Sequence, residues 1–240
     1  VPGWAISNQT TFKGDLKRSR GNIQLNLYAP WVNYEDIKSK NINVTASTDA
    51  NMLHIDVTTD QIKISDSVLI KKIAIDADAN KDRSTIVLSV DNDSLSDSKI
   101  RLVSEQRYQD NTTKFQFLSS LIKLKGNNWQ LNSDNSILFD STDIQINNIL
   151  LTNKGQSLSL NGKVSQNPDD KLRLSLFQFD TKLLNDLLSI YDIKIGGSAT
   201  GYTEFSSLYR KAVLTLIFLV VSFEFFIVQL GNALVNIDWF

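Results

Sequence analysis

No cysteine occurs anywhere in the 240 residues. That excludes a disulfide framework, a thiolate nucleophile and a Cys-type zinc site. Histidine occurs once, as His54. It sits in "LHIDV" on the face opposite Leu53 and Ile55 and points to solvent. A Ser-His-Asp triad would have to use it, yet no nucleophile motif lies nearby. Neither sign of charge dominates: the net charge is -1 and no basic stripe appears, so the footprint of a nucleic-acid binder is missing. No phosphate-cradling glycine loop or dinucleotide fingerprint is present. Proline and glycine are sparse, at 3 and 10 residues, so other residues must break the chain. "VPGWAISNQ" lacks a basic region followed by an apolar one and is not a signal peptide. With the last residues "NIDWF" in mid-pattern, the sequence reads as an internal piece of a longer protein.

What is present is alternation. "NIQLNL" puts Ile23, Leu25 and Leu27 on one face. "LHIDV" does so with Leu53, Ile55 and Val57, "QIKI" with Ile62 and Ile64, "KIAIDA" with Ile73 and Ile75, and "TIVLSV" with Ile86 and Leu88. Later come Phe115 and Phe117, Ile144 and Ile146, Leu158 and Leu160, and Leu172, Leu174 and Leu176. Successive strand side chains point to opposite faces, so each segment has one apolar and one polar side. The segments are about 5–7 residues long and bounded by Asn, Asp, Ser and Lys clusters, the pattern of an all-β chain. Turns read at "TDANM", "DANKDR", "DNDSLSDS", "QDNTT", "KGNN", "NSDNS" and "QNPDD". No connection is long enough for parallel crossovers, so neighbours are expected to be antiparallel in a meander. No internal boundary shows, which predicts one repetitive segment over residues 1–240.

One segment departs from alternation. "DTKLLNDLLSIYD" places Leu183, Leu184, Leu187, Leu188 and Tyr191 on a single helical stripe. A short helix is predicted over about 181–190, capped by Asp180 or Thr181. Carboxylates are read as turn residues: Asp49, Asp78, Asp82, Asp91, Asp93, Asp97 and Asp134. Asp91–Ser98 lacks the glycine and terminal glutamate of a calcium loop. The tryptophans Trp4, Trp31, Trp129 and Trp239 are expected in the core or along a groove.

"KAVLTLIFLVVSFEFFIVQLGNALV" is the most apolar stretch. As a helix, 212–237 could span a bilayer, with Glu224 the lone ionised group inside it. Its β-branched and aromatic content favours strands instead, with Phe223 and Phe225 on one face and a turn at Gln229 and Gly231-Asn232. Both faces of those strands would be apolar.

Three phrases carry a family resemblance. They are "GNIQLNLYAPWVNYEDIKSKNINVTASTD" (21–49), the run from "LKGNNWQLNSDNS" to "KLRLSLFQFD" (124–180), and "LSIYDIKIGGSATGYTEFSSLY" (188–209). In this order they resemble the C-terminal half of the TamB-like translocation and assembly module family of Bacteroidota type, within the AsmA-like β-groove superfamily. The resemblance implies a β-taco, an elongated curled antiparallel sheet with an apolar interior. It implies a periplasmic protein of the cell envelope, held in the inner membrane by an anchor outside this sequence. The implied partners are phospholipid and an outer-membrane Omp85-type β-barrel, with no cofactor, no metal, no catalytic residue and no nucleic acid. The implied role is to shield phospholipid acyl chains between the membranes and to support outer-membrane protein assembly.

On that reading the groove is lined by Ile23, Leu25, Leu27, Leu53, Ile55, Val57, Ile62, Ile64, Ile73, Ile75, Ile86, Leu88, Phe115, Phe117, Ile144, Ile146, Leu158, Leu160, Leu172, Leu174, Leu176, Phe223 and Phe225. Alternation alone fits an open trough and a dry sandwich core equally; the resemblance favours the trough. The alternatives are a compact extracellular β-sandwich for binding or adhesion, an outer-membrane barrel, and an enzyme. The barrel is disfavoured because the strands read as too short and the parity at Asn236 and Asp238 is wrong for lipid.

Overall fold

Alternation becomes ladder throughout a computed structural model that describes residues 3–17, 22–49, 51–64, 68–92, 98–188, 192–209, 212–226 and 228–239. The fold is all-β and antiparallel. The chain divides into two units, Val1–Arg107 with Ser120–Gly126, and Tyr108–Ser119 with Asn127–Phe240.

The first unit is a curled sheet that follows the chain. Its strands are β1 (Trp4–Ile6), β2 (Thr11–Lys17), β3 (Asn22–Tyr34), β4 (Ile37–Asp49), β5 (Met52–Lys63), β6 (Leu69–Asn80), β7 (Arg83–Asn92) and β8 (Ser98–Gln109), the last belonging here as far as Arg107. From β2 to β8 each strand pairs with the next. β1 lies on the same edge of β3 as β2, further along, where the Trp4 ring packs on Tyr34 at 4.7 Å. After an excursion through β9 (Thr112–Phe117), the chain returns as β10 (Leu121–Leu124), which pairs with β8.

The second unit begins with β9. β9 pairs with β12 (Ser136–Phe139), which pairs with β13 (Ile144–Asn153). β11 (Asn127–Leu131) lies beside the other end of β13. The meander continues through β14 (Gln156–Val164), β15 (Lys171–Asp180), β16 (Ile195–Ser206), β17 (Val213–Phe225) and β18 (Val228–Trp239). Between β15 and β16 sit a 3-10 turn, Thr181–Leu184, and one α turn, α1 (Asn185–Leu188). The predicted cap is present: Asp180 Oδ1 accepts from the Lys182 N–H at 3.0 Å. Ile190 and Tyr191, placed in that helix from sequence, lie outside the described residues, as do Asp93, Asp97 and Phe240.

Strands of up to 13 residues replace the 5–7 residue segments read from sequence. The reason is a set of interruptions that bend the backbone without ending the ladder. In the second unit Asn148, Gln178 and Ser222 all have positive φ, at 50°, 48° and 55°. Each sits where the register shifts by one residue, which is the signature of a β-bulge. At each, the backbone N–H donates to a side-chain oxygen opposite: Asn161 Oδ1, Thr200 Oγ1 and Asn232 Oδ1 respectively. In the first unit Asn41 and Lys72 have φ of 52° and 48°, and the registers on either side place them opposite Pro30 and Asp60. The Asn41 amide donates to Asp60 Oδ2 at 2.7 Å. "LHIDV" and the first three residues of "QIKI" therefore form one strand, β5. Strand length no longer counts against a barrel.

Among the described residues no helix is long and apolar enough to cross a membrane. Most of the apolar stretch forms the β17–β18 pair. Its turn falls at Phe226, with φ of 57°, not at Gly231-Asn232, which is inside β18.

Candidate functional site

Directly paired residues of neighbouring strands point to the same side, so the registers convert sequence alternation into rungs. In the first unit one rung runs Phe12, Leu27, Val44, Val57, Ile75, Leu88, Leu102. The next runs Leu25, Ala46, Ile55, Ala77, Ile86, Ser104 across the same strands. A third joins Leu16, Ile23, Thr48, Leu53 and Ala79. A fourth joins Thr59, Ile73, Val90, Ile100 and Ile122. Ten of the predicted lining residues therefore share this face: Ile23, Leu25, Leu27, Leu53, Ile55, Val57, Ile73, Ile75, Ile86 and Leu88. Ile62 does not follow their alternation. It pairs with Ile70 beyond the Asp60–Lys72 line, where the parity of the apolar residues changes. Ile64 is past the end of β5 and is exposed.

The second unit has a longer version. Its first rung is Phe115, Ile137, Ile146, Gly162, Leu172, Phe205, Leu214, Trp239. The second is Ile149, Leu160, Leu174, Thr203, Leu216, Ile237. The third is Leu131, Leu151, Leu158, Leu176, Gly201, Phe218, Val235. Phe179, Ala199, Val220 and Ala233 form a fourth. Predicted residues Phe115, Ile146, Leu158, Leu160, Leu172, Leu174 and Leu176 fall on these rungs. Ile144 pairs with Phe139 and Val164 one step outside the first. Phe117 lies at the end of β9, where its N–H donates to Asn135 Oδ1 at 2.8 Å. Phe223 and Phe225 are beyond the Ser222 bulge, their rings 6.4 Å apart.

The opposite face of β14–β16 is polar and ionically paired. Glu204 accepts from Lys171 Nζ at 2.9 Å and lies 2.6 Å from Arg173 Nη2. These bonds, that from Lys171 first, hold its carboxyl below the ordinary glutamate range. Arg173 also lies over the Tyr202 ring, 4.1 Å from its centroid. In the first unit the polar face carries His54, 2.5 Å from Asp78 Oδ1 on β6. Asp78, like Asp49 and Asp91, belongs to a strand rather than a turn. Among the described residues no group of three His, Asp or Glu side chains could hold a metal ion.

Burial separates these faces from an ordinary core. A sandwich would seal its inner residues at crystal-like density. Here, among the described residues, no large side chain is completely buried, and Phe12 and Leu16 remain 63% and 70% exposed. In the second unit Ile237 and Trp239 are 49% and 70% exposed. Only the fourth rung of that unit is closed, with Phe179, Ala199 and Val220 all buried beside Trp129. Trp4 and Trp31 are exposed, which departs from a core placement. β17 and β18 are apolar on their other face too, where Leu219, Val221 and Leu234 are exposed.

Beyond the lining expected from sequence, the rungs also contain Phe12, Leu16, Leu102, Ile137, Ile149, Leu151, Phe205, Leu214 and Leu216. Phe12 and Leu16 flank Gly14, which hid their alternation. Cross-strand register, which no single segment carries, brings in the others.

Residues 3–215 match the family model described as TamB, N-terminal domain. No curated protein and no solved structure matches the chain.

Proposed function

The chain belongs to the TamB family, and from that premise we propose that its apolar faces bind and shield phospholipid acyl chains. The family's role is translocation and assembly, in lipid transport or outer-membrane biogenesis, and its members are envelope-associated; it is not a known enzyme family. The finer reading is a periplasmic scaffold between inner and outer membrane, anchored in the inner one by a segment outside this sequence and working with an Omp85-type barrel. The three quoted phrases support a Bacteroidota-type, AsmA-like member and a place in its C-terminal half. The matched model is that of the N-terminal domain, so the phrases alone carry that placement.

The observation that carries the lipid reading is the incomplete burial of continuous apolar rungs in both units, partly covered along their length and exposed at the outer strands β2 and β18. An acyl chain gains about 0.8 kcal/mol for each CH₂ it removes from water. A charged headgroup left at the margin avoids the cost of burial. The test is mass spectrometry of the purified chain, followed by rebinding of phospholipid to the delipidated protein. Stoichiometric phospholipid that returns on rebinding supports the proposal; a lipid-free protein that takes up none contradicts it.

A further inference from the structure

The closed end of the apolar face in the second unit contains two donors that nothing accepts. Trp129 Nε1–H and Asn153 Nδ2–H are buried without a hydrogen-bond partner, in residues 4% and 5% exposed. They are neighbours. The register Leu131 to Leu151 and Gln130 to Thr152, extended by one residue, sets Trp129 opposite Asn153. Both then share the side of the sheet that carries Leu131 and Leu151. The Trp129 ring also packs against Phe179, at 5.7 Å between centroids, which fixes the indole at the fourth rung. The third such atom among the described residues, Asn80 Oδ1, is alone in the other unit.

A buried donor with no acceptor has given up its bond to water for nothing, which is why such groups are rare. The other polar side chains on these rungs obey the rule: Thr203 Oγ1 donates to Thr215 O at 3.1 Å, and Gln156, paired with Asn153, accepts the Asp180 N–H on its Oε1 at 2.9 Å. Indole nitrogen can only donate, and the free atom of Asn153 is likewise its NH₂. Two adjacent donors fit an oxygen with two lone pairs. The rungs beside them, through Leu151, Leu158 and Leu176, are apolar and half-buried.

We propose that Trp129 and Asn153 form an end stop that receives a carboxylate or ester-carbonyl oxygen of a ligand whose alkyl chain lies on the first three rungs. This rests on the lipid-binding reading above and adds polarity and direction to it. The chain enters along the open rungs and its oxygen-bearing end is held at the closed one.

The test uses the delipidated protein and three fluorescent probes: cis-parinaric acid, its methyl ester, and the hydrocarbon diphenylhexatriene. Trp129→Phe keeps the ring and removes the N–H. It should weaken the acid and the ester roughly 5- to 30-fold and leave the hydrocarbon unchanged, which also certifies the fold. Asn153→Leu should do the same. Loss confined to the acid identifies a carboxylate; equal loss identifies the carbonyl. Unchanged affinity for all three probes in both variants overturns the end stop, as an internal water or a flipped Asn153 amide satisfying the indole would produce. If the wild-type chain binds no probe at all, the lipid reading itself fails, and the two failures are thereby distinguished.

Discussion

Lys182 Nζ lies 3.1 Å from Glu224 Oε2, so the carboxylate inside the most apolar stretch of the chain is paired with the helical insert that precedes β16. Sequence alone presents Glu224 as an isolated charge in a candidate membrane span. The fold gives it a cation from 42 positions earlier. Both side chains are more than a third exposed, so the pair is worth at most about 1 kcal/mol. Lys182→Met and Glu224→Gln should each cost less than about 1 kcal/mol in urea unfolding, and the double variant should show coupling of about 0.5 kcal/mol.

Glycine substitutions should separate by what they meet. A Cβ at Gly196 would fall 2.6 Å from Glu224 Oε2 and 2.7 Å from Lys182 Cε, the ends of two flexible chains that can move aside. A Cβ at Gly201, where φ is 154°, would fall 2.1 Å from the Ile217 carbonyl oxygen, which the ladder holds fixed. Gly201→Ala should therefore cost about 3 kcal/mol or more, and Gly196→Ala under about 1 kcal/mol. Urea midpoints at constant m-value measure both.

The bulges should be modestly stabilised by their side-chain acceptors. Thr200→Val keeps the shape opposite Gln178 and deletes the oxygen that takes its N–H at 3.0 Å. The site is exposed, so water replaces part of the bond, and the expected loss is about 0.5–1.5 kcal/mol. Protection of the Gln178 amide in hydrogen exchange should fall with it.

Glu204 should contribute to acid sensitivity. Its pKa is lowered in the folded chain by Lys171 and Arg173. The stability it adds is complete above the ordinary glutamate pKa and is lost as pH falls through the lower, folded value. Glu204→Gln should therefore be less stable than wild type at neutral pH, with the gap closing as pH falls below the ordinary glutamate range and through the lowered folded value. Denaturation series across that range check the sign.

The fold class and most of the apolar face were legible because alternation is local: Leu172, Leu174 and Leu176 announce their face within five residues. The bulges were not legible. Asn148, Gln178 and Ser222 adopt positive φ as non-glycine residues, and nothing local marks which Asn, Gln or Ser will do so. Each splits one strand into two apparent short ones. Gly231-Asn232 misled in the opposite direction. It carries a turn signal, but the structure spends it inside β18, where Asn232 accepts the Ser222 N–H and Gly231 holds a φ of 90°. The turn itself begins at Phe226, a residue with no turn preference. Leu214, Leu216 and Phe218 appeared only as part of an apolar run until register tied them to Phe205, Thr203 and Gly201.

Whether one face of the sheet holds acyl chains and the other does not can be decided by site-specific photo-crosslinking within a single strand. Leu174 and Ser175 are adjacent on β15 and point to opposite sides; Leu174 pairs with Leu160 and Thr203, Ser175 with Ser159 and Tyr202. A photoreactive phenylalanine analogue at each position, irradiated in cells and analysed by mass spectrometry, should capture phospholipid from position 174 and little from position 175. Equal capture at both positions, or none at 174 in a folded protein, would contradict the account.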